Sequence, residues 1–114
     1  MELELSIKRI ILFTARMAEM ASFYRDVLGL QQIDDEAGWK EFRAGNCNIA
    51  LHNGASVVGS RPPKLVFHSN DVAETRKALT GRGARLGKLK SGNGLDLCEG
   101  EDPDGNPFQI SSRA

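Results

Sequence analysis

Hydrophobic and polar positions change period along the chain, and each change marks an element. Residues 8–13 (KRIILF) are a short apolar, β-branched run that predicts a buried strand, with Thr14 placed to cap the helix after it. Met17, Met20, Ala21, Tyr24 and Leu28 then recur at helical spacing on one face, while Arg16, Glu19, Arg25 and Asp26 fall elsewhere on the cylinder. Gly29 is placed to end this helix in a left-handed conformation. Three strands are expected next, at residues 31–34, 39–43 and 47–52, divided by turns at 36–38 and 44–46. These elements make one βαβββ module, about residues 1–56.

The order then repeats. Residues 53–63 (NGASVVGSRPP) read as a connection, with the linker proper at about 57–63. Residues 64–68 (KLVFH) predict a strand and residues 71–79 a helix opened by an Asp71/Glu74 capping box. Further strands are expected at 85–89, 95–101 and 106–111. Asp102-Pro103-Asp104-Gly105 forms a strong turn, because proline presets one backbone angle and glycine tolerates another. The second module covers about residues 64–114. Two tandem βαβββ modules predict an α+β architecture, a curved mixed sheet with helices on its outer face.

Composition narrows the partners. Fifteen basic residues balance fifteen acidic ones, so the charge excess that draws proteins to nucleic acid or anionic membranes is missing, and neither is an expected partner. No stretch approaches the ~20 apolar residues of a membrane span, and the start carries no secretory pattern; the expected location is cytoplasmic. Cys47 and Cys98 are far apart in strand-like contexts and read as reduced core thiols. At this length neither disulfide nor metal is needed for folding, so any metal would serve function.

Residues 22–30 (SFYRDVLGL) resemble the helix end of the glyoxalase/bleomycin-resistance/dioxygenase superfamily, also called the vicinal oxygen chelate fold, and residues 101–108 (EDPDGNPF) resemble its closing strand. With the internal repeat, the resemblance spans essentially the whole chain. It implies a small-molecule pocket on the inner sheet surface and pairing as a homodimer, although members also use single-chain arrangements. In the family's enzymes it implies a divalent metal held by one residue on the first strand and one on the last strand of each module. By the resemblance those positions fall on Arg9, Ala50, Lys64 and Gln109. Two are cations, one has no donor and one is a weak donor, so no metal and no other cofactor is expected.

Alternation supports that register: Ile10, Leu12, Ile49, Leu51, Leu65, Phe67, Phe108 and Ile110 would pack under the helices, leaving the four positions on the other face. His52 and His68 share that face, and Glu41 is the one acid placed to join them in an unconventional metal site. Arg9 and Lys64 either give the pocket an anion preference or pair with neighbouring acids. Trp39 either walls the pocket as a stacking surface or packs in the core, and Phe13, Val66 and Ile11 supply apolar lining. The expected ligand-binding residues are therefore Arg9, Lys64, Gln109, Trp39, Phe13, Val66, His52 and His68, with catalytic residues unassigned.

Three functions fit. The leading one is metal-independent binding and occlusion of an anionic or aromatic small molecule. The alternatives are a metal-dependent lyase or extradiol-type dioxygenase, and a metal-free enzyme with a histidine base. Neither cysteine has an activating neighbour, and the glycines form no phosphate-binding loop.

Overall fold

A computed structural model of the chain describes residues 3–114; residues 1–2 of the first module's range lie outside the described residues. The chain divides into two compact units, one ending at Ser56 and one running Val57–Ala114. The fold is α+β: each unit has a four-stranded mixed sheet and its own helix, so two sheets stand where one was expected.

In the first unit, β1 (Arg9–Thr14) pairs parallel with β4 (Asn48–Asn53), which pairs antiparallel with β3 (Trp39–Arg43), and β3 with β2 (Gln31–Glu36). The order β1-β4-β3-β2 leaves β1 at an edge. This corrects its expected burial: Ile10, Ile11 and Phe13 are all exposed, because an edge strand has neighbours on one side only. A register shift between Gln32 and Asp34 sets Ile33 outside the pairing and lets β2 run to Glu36, two residues beyond expectation.

The helix between β1 and β2 has two parts. α1 (Met17–Ser22) passes into a π-helical turn (Phe23–Val27), where the sequence predicts one uninterrupted helix. The wider turn buries both Phe23 and Tyr24, whose rings meet edge to face at 5.3 Å. Thr14 does not cap the helix; its hydroxyl accepts from the Arg16 backbone N–H and shapes the turn before it. Gly29 has the expected positive φ of 75°.

The second unit repeats the plan. β5 (Leu65–His68) lies parallel to β8 (Pro107–Ser111), which pairs antiparallel with β7 (Leu95–Glu101), and β7 with β6 (Lys90–Gly92). The expected strand at 85–89 is displaced onto β6. Of that stretch only Leu86 makes a bridge, to Gly100, and the Gly87 N–H donates to Glu99. The helix α2 (Val72–Gly81) opens on Asp71, whose carboxylate accepts from the Glu74 N–H, giving one half of a capping box. The turn into β8 is organised by the nearly buried Asp102, whose carboxylate accepts from the Asp104 and Asn106 N–H groups and from the Asn106 side chain. Cys98 is fully buried, but Cys47 is only half-buried and precedes β4, so one core thiol exists rather than two.

Candidate functional site

The Tyr24 ring lies 6.3 Å from Phe42, which marks the helix side of the first sheet. Register carries Ile49, Ile10, Leu51 and Leu12 to that side. The opposite, helix-free side therefore holds Arg9, Ile11 and Phe13 from β1, Ala50 and His52 from β4, and Trp39 and Glu41 from β3.

An aromatic row crosses this face. Phe13 and Trp39 both meet the His52 ring edge to face, with centroids 5.4 Å and 5.8 Å away. His52 is further fixed by a 2.9 Å hydrogen bond from Nδ1 to the Asn53 carbonyl, so that nitrogen carries the proton. The Arg9 guanidinium carbon sits 6.0 Å from the Trp39 ring centre, at the limit of cation–π contact. Trp39 is thus a half-exposed member of the face and not a core residue.

Beside the row lies a buried polar knot that strand alternation alone does not assemble. The Glu41 side chain is 4% exposed and accepts from Arg9 Nε at 3.0 Å and from Asn48 Nδ2 at 2.8 Å. Burial alone would raise its carboxyl pKa. The Asn48 and Arg9 hydrogen bonds, the Arg9 charge and a contribution from the Trp39 side chain outweigh that and hold it below the ordinary value. Glu41 is therefore engaged by Arg9 rather than turned toward a histidine.

In the second sheet, buried Cys98, Phe108 and Ile110 mark the covered side, and Lys64, Val66, His68, Glu99 and Gln109 alternate to the other. Val66 and His68 are exposed. Lys64 Nζ donates to Glu99 Oε2, and this hydrogen bond, with the Lys64 and Lys90 charges, holds the Glu99 carboxyl below its usual range against the opposing effect of burial. Burial pushes the Cys98 thiol up, consistent with an inert core thiol.

The two sheets place these pairs equivalently. Ile11 and Glu41 both lie opposite Ala50, while Val66 and Glu99 both lie opposite Gln109; Arg9 and Lys64 each stand two residues before that position. Each module thus carries a cation and a neutralising carboxylate at matching places. The signal was present in the sequence: superposing the modules on Ala50 and Gln109 aligns Glu41 with Glu99.

Side-chain chemistry at the four metal positions does not fit a divalent ion. Arg9 and Lys64 are cations already committed to carboxylates, Ala50 has no donor atom and Gln109 offers a weak one. Among the described residues no three His, Cys, Asp or Glu side chains gather as a metal site would require. His52 and His68 stand on different sheets, each without a third ligand. No described helix is long and apolar enough to cross a membrane.

Tandem βαβββ modules, each with one covered and one open sheet face, define a small-molecule-site architecture from which the metal ligands have been replaced. The chain belongs to the Glyoxalase/Bleomycin resistance protein/Dioxygenase superfamily, whose family model matches residues 6–110. Among solved structures it is similar to a lactoylglutathione lyase from Agrobacterium tumefaciens, at 20% identity and a TM-score of 0.77 over 96% of this chain and 94% of that one. It is equally similar to TnmS3, an antibiotic binding protein from Streptomyces sp. CB03234, at 18% identity and 0.77 over 96% and 97%. A virulence protein from Salmonella typhimurium matches at 21% identity and 0.73 over 96% and 98%. No curated protein matches the chain in sequence. At these identities the structural likeness establishes the fold alone.

Proposed function

We propose that this chain is a metal-independent small-molecule-binding protein that sequesters a planar aromatic compound and acts as a homodimer. The observation that carries the reading is the pair of neutralised cations at the metal positions. Arg9 tied to Glu41 and Lys64 tied to Glu99 leave no seat for a divalent ion, and they also remove the net positive charge that would select an anion. What the face offers instead is aromatic and apolar surface, from Phe13, Trp39 and the His52 ring. Arg9 would cover a stacked ring with its guanidinium plane, and Gln109, Val66, Lys64 and His68 would contribute from the second module. The likeness to an antibiotic binding protein lends support at the level of fold.

Trp39 is the chain's single tryptophan, so its fluorescence reports directly on this face. Titration with a panel of planar aromatic compounds should give saturable quenching, and Trp39→Ala should weaken the same binding, followed calorimetrically, by about tenfold, the order of one stacking contact. A panel that produces no saturable change, or binding indifferent to Trp39→Ala, contradicts the proposal.

A second reading rests on the His52 tautomer. With Nδ1–H committed to Asn53, Nε2 presents a lone pair on the same face, as a general base requires. Turnover of a bound compound that is lost in His52→Gln while binding persists would select this reading over sequestration.

A further inference from the structure

Four strands, β1, β2, β5 and β6, stand at the edges of the two sheets. Residues 3–7 (LELSI) precede β1 with strict alternation: Leu3, Leu5 and Ile7 on one side, Glu4 and Ser6 on the other. That is the pattern of a strand with one face covered. Yet these residues belong to no strand, and their three apolar side chains are 69–91% exposed. Among the described residues of one copy, nothing covers them.

Charge selects among the edges that an added strand would meet. β2 presents Asp34, Asp35 and Glu36 and would repel Glu4. β5 is flanked only by Lys64, which Glu99 already holds. β6 and the residues before it read Lys88-Leu89-Lys90-Ser91-Gly92, the same alternation with the opposite charge, and both lysines and Leu89 are exposed. Lys90 pairs with Leu97 on the helix-free side of the sheet, so Leu89 points to the other side. Five residues face five. The modules are polarised in the same sense, with six basic against eight acidic residues in 1–56 and nine against seven in 57–114.

We propose that residues 3–7 add as a strand to the β6 edge of a second copy, with Glu4 between Lys88 and Lys90 and with Leu3 and Leu5 covering Leu89. Reciprocal exchange closes a two-fold dimer and removes two exposed edges at once. The inference deepens the homodimer reading above and rests on it.

Sedimentation equilibrium of the full chain tests it with Glu4→Lys, Lys88→Glu/Lys90→Glu and all three changes combined. Each charge reversal alone should raise the dimer dissociation constant about fivefold or more, since like charges then oppose each other twice per dimer. The combined chain should recover the wild-type value to within about twofold. That recovery separates a lost contact from a damaged fold. Leu5→Asp should weaken the dimer as well, with the thermal midpoint of the monomer unchanged. A dimer indifferent to all these changes overturns this surface and leaves the homodimer standing. A wild-type chain that is monomeric at every concentration overturns both.

Discussion

Glu41 and Glu99 occupy equivalent places in the two modules, but the Glu41 side chain is 4% exposed and that of Glu99 is 40% exposed. Burial decides what each pair contributes. Exposed pairs are worth about 0–1 kcal/mol, whereas stranding a buried charge costs about 3–5 kcal/mol when water cannot reach it. Arg9 is itself 38% exposed, so the full penalty is discounted. Arg9→Met should therefore destabilise by about 1–2 kcal/mol and Lys64→Met by under about 1 kcal/mol, as read from urea midpoints. Equal effects would mean that the two pairs are equally solvated. The lowered pKa of Glu41 also fixes a pH dependence. Because the folded state holds its carboxylate ionised more firmly than the unfolded state does, the stabilisation is present above the ordinary carboxylate range of about 4.3. It is lost as pH falls through the lowered folded value. Glu41→Gln should lower stability at neutral pH by about 1–3 kcal/mol and make the loss below about pH 4 shallower than in the wild type. Parallel acid limbs in the two proteins would remove Glu41 from the account.

At the scale of elements, the sequence was most informative where local chemistry decides the structure. Asp71 at the start of α2, Gly29 at the end of the first helix and the 102–105 turn all act within a few residues, and all are found as expected. It was least informative where long-range packing decides. Nothing local distinguishes the π-helical turn at Phe23–Val27 from a continuing α-helix; burying Phe23 and Tyr24 together does. β6 falls after Leu89 for a similar reason: Gly100 pulls residues 85–86 against β7 so closely that an added Cβ would meet Arg85 O at 2.9 Å, Leu86 Cδ2 at 2.8 Å and Phe108 Cζ at 2.9 Å. Gly100→Ala should thus cost about 1–3 kcal/mol, as overpacking does, and should loosen β6 in hydrogen exchange before β8. A neutral substitution would show that residues 85–86 yield freely. The candidate face divides along the same line. Strand alternation placed Arg9, Phe13, His52 and Trp39 on one side, but the Glu41 and Asn48 partners of Arg9 come from strands β3 and β4 and became visible only once register was known.

For the whole molecule, the internal repeat carries the functional argument. A metal centre in this superfamily draws ligands from both modules, and here both modules have replaced them in the same way, with a cation at the first position and a carboxylate beside it. Matching neutralisation in two halves is more economically explained by a site kept for uncharged or weakly charged ligands than by two separate losses of a metal ligand. Residues 3–7 and the basic β6 edge extend the same polarity to assembly, giving each copy an acidic strand to donate and a basic edge to receive one. The central claim is that an aromatic ligand binds the Trp39 face without metal. Its most direct test is a Trp39 fluorescence titration with one planar aromatic compound, run on chelator-treated protein and again after addition of manganese, iron, nickel or zinc. Unchanged affinity across all five conditions is the predicted result; binding that appears only with a metal, accompanied by stoichiometric metal uptake, would contradict it.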